Sequence, residues 1–124
     1  MPLKAALQYE QNYHEAGGKG KLSDYYTAGY GSAIFSSALR DNIVFSQHNL
    51  AMDGSFNEFH AILCRNVMIY FTRGLQARVH NLLYESLAMF GILGLGSKET
   101  LQFTTHEKDY EQLSAGCRIY RRIR

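Results

Sequence analysis

Two short segments place an asparagine where the chain leaves an apolar run: His48-Asn49-Leu50 after residues 42–47, and Arg65-Asn66 after residues 59–64. An asparagine amide offers a donor and an acceptor together, which suits the edge of an adenine ring or an amino-acid group. The same side chain also satisfies loop backbone groups, and asparagine is a common turn residue for that reason. Nine tyrosines are many for this length. Tyr25, Tyr26 and Tyr30 could line a ligand cleft or pack against a helix. Cys64 and Cys117 stand far apart with no CxxC or Cys/His spacing, so no metal site is expected, and both are expected to be reduced and buried. Arg118, Arg121, Arg122 and Arg124 crowd the carboxyl terminus. A solvated strand edge accounts for them; nucleic-acid binding is the other reading, with steep salt dependence as its signature.

The elements that hold these residues follow from the apolar pattern. Residues 59–64 form a nearly continuous apolar run of strand length, as in a parallel strand covered on both faces. Leu75, Val79, Leu82, Leu83 and Leu87 recur at the spacing of a core-facing helix, with Thr72 as N-cap and Gly91 as the stop. Residues 92–96 give a second short apolar strand. Strand, helix and strand within about forty residues make a βαβ crossover, hence a parallel sheet with right-handed winding. Upstream, residues 42–47 read as a β-rich run leading to a polar turn at Asp53-Gly54-Ser55. Residues 117–123 read as a last strand at or near an edge. Residues 3–15 read as a helix stopped by Gly17, Gly18 and Gly20, followed by a tyrosine-rich loop to Tyr30-Gly31. In open parallel sheets ligands bind beyond the carboxyl ends of the strands, where both asparagines fall.

Composition bounds the remaining classes. The 124 residues include 46% hydrophobic and 19% charged side chains with one proline, so the chain is not of the disordered class and has room for one domain. A net charge of +2 is too small to argue for nucleic acid. No stretch approaches the ~18 apolar residues of a membrane span, and residues 1–4 lack the apolar region of a signal peptide, so a cytoplasmic location without membrane insertion is expected. There is no internal repeat or low-complexity tract.

The segment Phe59-His60-Ala61-Ile62-Leu63-Cys64-Arg65-Asn66-Val67-Met68-Ile69-Tyr70-Phe71 strongly resembles the motif of the chemotaxis receptor methyltransferases, the CheR family. The resemblance continues through Leu75-Gln76-Ala77-Arg78-Val79, Gly91-Ile92-Leu93-Gly94-Leu95-Gly96 and Glu99-Thr100-Leu101, and upstream through Val44-Phe45-Ser46-Gln47-His48-Asn49-Leu50. It implies an α/β fold: part of the doubly wound, Rossmann-like class I methyltransferase domain, strands three to seven, mostly parallel with an antiparallel C-terminal strand. The chain is then a single partial domain over residues 1–124, with 1–41 a helix-and-loop lead-in and 42–124 the carboxyl-terminal half of the sheet. The implied cofactor is S-adenosylmethionine, and the implied reaction is O-methylation of glutamate side chains of chemoreceptors. By the same resemblance Asn49 and Leu50 contact the adenine side of the cofactor, and Arg65 and Asn66 its methionine portion. Tyr70 matches the family tyrosine beside the transferred methyl group, where its hydroxyl orients the acceptor. Methyl transfer is an in-line displacement, so positioning matters more than a strong base, because a glutamate carboxylate is already ionised at neutral pH.

The departures from the family pattern carry expectations of their own. This chain has His60 where the family usually has an acid, Ala88-Met89-Phe90-Gly91 for a Pro-Gly-Gly-like turn, and Gly96-Ser97-Lys98-Glu99 for Gly-His-Ser-Glu. His60 reads as structural. The family's glycine-rich cofactor loop has no counterpart, and Gly17-Gly18-Lys19-Gly20 lacks the flanking strand that such a loop needs. The chain is therefore expected to be a truncated, inactive form that binds cofactor weakly or not at all. The alternative is a non-catalytic interaction or oligomerisation module. Two central strands are missing from the family order 3-2-1-4-5-7-6, a gap of roughly 14 Å at about 4.8 Å per strand spacing. The segment near Val44 is expected to detach, to pair with residues 59–64, or to leave an edge that a second chain covers in a homo-oligomer. A single chain with that edge open and solvated counts against this.

Overall fold

The computed structural model describes residues 1–54, 58–114 and 116–124. The chain forms two units, Met1–Gln47 and His48–Arg124. In the first, α1 (Ala6–Glu15) occupies most of the expected helix, after a 3-10 turn at Leu3–Ala5. It buries no residue. Its support is local, from side-chain pairs four residues apart: Gln8 to Asn12 at 2.9 Å, Gln11 to Glu15 at 3.0 Å and Glu10 with His14 at 3.1 Å. The tyrosine-rich stretch is not all loop. It contains an antiparallel hairpin, β1 (Tyr26–Gly29) and β2 (Ser32–Phe35), turned by Tyr30 and Gly31 at φ 51° and 77°. Two positive φ values in a two-residue turn match the twist of the paired strands. Tyr25 packs on Tyr13 of α1 and Tyr26 on Phe35, while Tyr30 projects fully exposed at the tip. Packing thus accounts for Tyr25 and Tyr26.

Residues 42–47 form no strand, and Val44 and Phe45 are 92% and 78% exposed. Their β propensity is real but weak, and propensity does not form a strand where no neighbour completes its ladder. No strand pairing among the described residues involves this segment, so the expected pairing with residues 59–64 is not found.

The second unit is built on the crossover. β3 (Phe59–Cys64) leads through a 3-10 turn at Met68–Tyr70 into α2 (Arg73–Ser86), which passes directly into β4 (Leu87–Leu95). β5 (Tyr110–Ser114) and β6 (Ile119–Arg122) complete a four-stranded sheet of order β3-β4-β6-β5. β3 and β4 are parallel, and β6 is antiparallel to both of its neighbours. Three strands therefore run one way and β6 the other, as expected for a partial Rossmann-like sheet with an antiparallel last strand. β6 lies one place in from the edge, which β5 occupies.

Thr72 caps α2 as expected, its hydroxyl accepting from the Leu75 N–H at 3.3 Å. Gly91 is not the helix stop. It lies inside β4, where the register advances five residues from Leu87 to Ile92 against two from Phe59 to Ala61. Phe90 adopts φ 65° in this bulge, and a Cβ on Gly91 would fall 2.7 Å from the Leu87 side chain and 2.8 Å from the Ala88 carbonyl. Gly91 is thus required by close packing within the strand.

The core joins Val79, Leu83 and Leu87 to Leu93 and Leu95 of β4, with Met68, Leu101 and Tyr110 closing its ends. Burial of each such aliphatic side chain contributes about 1.5–3 kcal/mol. β3 departs from expectation. Only Cys64 is buried and Ile62 half-buried, while Leu63 is 79% and Phe59 40% exposed. One face of β3 packs toward the core and the other does not, so the strand is parallel without being covered on both faces. Among the described residues it pairs only with β4. Its outer edge is unpaired in the single chain. Cys117 is another correction: Cys64 is buried but Cys117 is exposed, because it lies in the turn before β6 rather than on an inward position.

The terminal arginines are engaged structurally. Arg122 stacks over the Tyr84 ring at 4.1 Å and donates to the Tyr84 and Leu87 carbonyls. Arg121 pairs with Glu111 at 3.1 Å, and Arg118 donates to the Ser97 carbonyl. No helix among the described residues is long and apolar enough to cross a membrane.

Candidate functional site

At the carboxyl ends of β3 and β4 the backbone converges on one carboxylate. Glu99 is 6% exposed. Its Oε1 accepts from the N–H groups of Asn66 and Gly96, each at 2.8 Å, and its Oε2 accepts from Met68 N–H at 3.0 Å. Both oxygens act as acceptors. Glu99 thereby fixes the chain leaving β3 to the chain leaving β4. Asn66 sits at φ 60°, in the left-handed region that asparagine tolerates better than most residues. A Cβ on Gly96 would overlap Asn66 Oδ1 and lie 2.7 Å from Glu99 Oε1 and 2.9 Å from Asn66 N, so only glycine fits there.

This node aims the motif residues outward. Arg65 is exposed and has no ion pair among the described residues, and Tyr70 is 84% exposed on the 3-10 turn four residues beyond Asn66. Cys64, just behind the node, has its thiol pushed up in pKa by burial and then by the Glu99 charge, so it is a packing group rather than a nucleophile.

Asn49 belongs to a different structure. Its Oδ1 accepts from Ala51 N–H at 3.0 Å, its own N–H donates to Asp53 Oδ2 at 2.8 Å, and its carbonyl accepts from Met52 and Asp53. This is a local Asx turn, and the backbone-satisfying role foreseen for asparagine holds at this position. Leu50 is half-buried against the core, and Arg78 reaches the Asp53 carbonyl at 3.5 Å. Ser55 of the expected turn lies outside the described residues.

A larger groove runs between the start of α2 and the loop after β4. Its volume is about 700 Å³, and it is lined by Arg73, Gln76 and His80 of α2 together with Lys98 and the segment 102–106. None of Asn49, Leu50, Arg65, Asn66 and Tyr70 lines it, although Met68 and Ile69 of the motif turn do. His80 is 6% exposed, and its Nδ1 is buried without a partner among the described residues. Burial holds its pKa below the ordinary histidine value, with the nearby His106 acting in the same direction and Glu99 against it. Among the described residues no cluster of His, Cys, Asp or Glu could hold a metal. Neither Glu99 nor His80 stood out in the sequence. Glu99 appeared only within the matched string Glu99-Thr100-Leu101. The signal that could have found it is an acid three residues after the glycine that ends a buried strand.

The parallel crossover and the sheet order define a partial Rossmann-like α/β domain. A family described as "CheR methyltransferase, SAM binding domain" matches residues 5–117, and the chain belongs to that family. The family's cofactor is S-adenosylmethionine. The chain is 45% identical to Cher3 of Pseudomonas putida, named as a methyltransferase, over 97% of its own length and 44% of that protein's. It is 32% identical to a 104.1 kDa protein of Rhodobacter capsulatus over 83% of this chain and 11% of that one. A chemotaxis protein methyltransferase of Listeria monocytogenes is 37% identical over 50% of this chain and 24% of its own. The chain thus spans less than half the length of the curated relatives it matches.

Proposed function

We propose that this chain carries the acceptor-side part of an S-adenosylmethionine-dependent methyltransferase domain, acting on glutamate side chains of chemoreceptors in the cytoplasm. On this reading both units are pieces of one catalytic domain, with residues 1–41 as lead-in. The observation that carries it is the Cys64–Tyr70 segment, immobilised by Glu99 so that Arg65 and Tyr70 project from the carboxyl end of β3.

The residues present fit the cofactor in part. The Arg65 guanidinium is free to pair with a carboxylate such as that of the methionine portion. Asn49 commits its Oδ1 to the turn, which leaves its amide N–H₂ to donate to an adenine ring beside Leu50. Asn66 Oδ1, held against Gly96, offers an acceptor at the same strand end. The bound cofactor supplies an electrophilic methyl group on sulfur. Tyr70, exposed and on a turn, orients the acceptor carboxylate by donating its hydroxyl. No proton has to be removed, so the chain's contribution is alignment.

As an isolated polypeptide the chain is expected to bind the cofactor weakly or not at all and to turn over no substrate, since these contacts come from one side only. Calorimetric titration tests this: micromolar affinity for S-adenosylmethionine overturns the inactive reading. Restored to the full length of its relatives, the protein should transfer label from the cofactor to receptor glutamates, and Tyr70→Phe should lower the rate while leaving cofactor affinity intact.

The open edge of β3, with Phe59 and Leu63 exposed, supports a second reading: an interaction or oligomerisation module. Sedimentation across a concentration series separates the two, because a module of this kind shifts in mass with concentration and ignores the cofactor.

A further inference from the structure

The groove between α2 and the loop after β4 has no part in the cofactor contacts above, yet it has the features of a binding site. Arg73 and Lys98 both line it, and neither has an ion pair among the described residues. Arg73 is also the first residue of α2, whose amino-terminal end favours an anion. Glu99, the one carboxylate in the lining, is committed to three backbone N–H groups and neutralises neither cation directly. His80 is the second, independent sign. It is buried, lies on the same helix face as Arg73 and Gln76, and has an imidazole nitrogen with no partner among the described residues, a cost that a bound polar group would remove.

The size and the rim decide between a lone anion and something larger. About 700 Å³ is far more than a small inorganic anion fills, and lies in the range of roughly 300–1,000 Å³ usual for organic ligands. Phe103 stands at the rim 95% exposed, at φ 62°, its N–H held by Glu107 at 3.0 Å. Its ring adds apolar surface beside the two cations. Cations, a buried imidazole and an exposed phenyl ring together suit a polypeptide that carries acidic side chains.

We propose that this groove is a second recognition site, in which Arg73, Lys98 and His80 receive a carboxylate-bearing segment of the protein acceptor while Tyr70 addresses the residue to be methylated. The inference rests on the protein-acceptor reading above, and it is tested by binding, without cofactor or turnover.

The probe is a fluorescein-labelled peptide of alternating glutamate and alanine, ten residues long, with the glutamine–alanine counterpart and inorganic phosphate as controls. Fluorescence anisotropy should show saturable binding of the acidic peptide, weakened roughly tenfold by Arg73→Glu or Lys98→Glu, while the glutamine peptide does not bind. The neutral variants Arg73→Gln and Lys98→Gln should give smaller losses in the same direction, and circular dichroism checks that all four fold. The His80 ring nitrogens should shift in ¹⁵N spectra on addition of the peptide. The proposal is overturned if both peptides bind alike, if the charge reversals change affinity by less than about twofold, or if phosphate alone produces the same His80 shift and displaces the peptide. A chain that takes the peptide through these residues but yields no methyl transfer at full length keeps the recognition site and refutes only the catalytic reading.

Discussion

Asn49 and Asn66 occupy similar places in the chain and live in different physics. Asn66 stands in a node whose three N–H groups all end on Glu99, which lies 33 residues from Asn66 and 31 from Met68 along the chain. Asn49 makes its own hydrogen bonds within four residues, and its turn is tied to the rest of the unit only by the long Arg78 contact to the Asp53 carbonyl and by Leu50 against the core. A long-range buried node exists only when the sheet is assembled, so it reports on the whole fold. A local exposed turn forms and opens nearly independently of it. The first can hold Arg65 and Tyr70 to a fixed geometry; the second can adjust around a ligand.

The sharpest way to break this contrast is to remove the shared acceptor. Glu99→Ala leaves three N–H groups without a partner at the ends of β3 and β4, and should destabilise the chain by roughly 3–5 kcal/mol in urea denaturation. Glu99→Gln keeps one carbonyl oxygen but turns an amide donor toward a donor, and should fall between the two. A loss under about 1 kcal/mol for Glu99→Ala would mean that the node is solvated and the contrast with Asn49 is false.

Cys64 offers a probe of the same node that needs no unfolding. Its thiol is buried and its pKa raised, whereas Cys117 is exposed. Under native conditions a maleimide should label Cys117 at least about tenfold faster, since the accessible thiolate is the nucleophile. Glu99→Ala should narrow that ratio, and Asn49→Ala should not.

The contrast also explains what the sequence could and could not convey. The crossover is legible because Val79, Leu82, Leu83 and Leu87 repeat with the helical period and an apolar run stands on either side. Thr72 is legible as a cap from its type and position. Glu99 is not, because a lone acid after a strand has the same local pattern whether it points to water or into three N–H groups; only the distant partners decide. Residues 42–47 mislead for the opposite reason. Their β-forming types are local information, and a strand also needs a neighbour, which no local pattern supplies. Leu63 and Phe59 likewise read as buried, though only one face of their strand is packed. The roles given to Arg65 and Tyr70 come from the motif, and the structure adds the rigid strand end that carries them.

His80 links the node to solution pH. Its pKa is lowered by burial, so the native state holds the ring neutral while the unfolded chain takes up a proton near pH 6.5. The groups facing it include His106, which opposes its protonation, and Glu99, which favours it; Arg73, on the same helix, and Lys98 line the same groove. The stabilisation is therefore complete above the unfolded value and is lost as pH falls through the depressed native one. Wild type should lose stability between pH 7.5 and 5.5, and His80→Gln should lose less. Equal losses would place that acid sensitivity elsewhere.

The smallest effect is expected in the other turn. Asp53 accepts from Asn49 N–H and lies 3.4 Å from His48, with both side chains well exposed. Asp53→Ala removes one solvent-accessible hydrogen bond and, where His48 is protonated, a screened ion pair, which together are worth about 0.5–1 kcal/mol. The loss should shrink with added salt, because the pair with His48 is exposed. Native-state hydrogen exchange would show the change confined to Asn49 and its neighbours, with Asn66 and Met68 as protected as before. Exchange that rises at Asn66 as well would couple the two turns into one cooperative unit, and Asn49 would then share the rigidity of the strand ends.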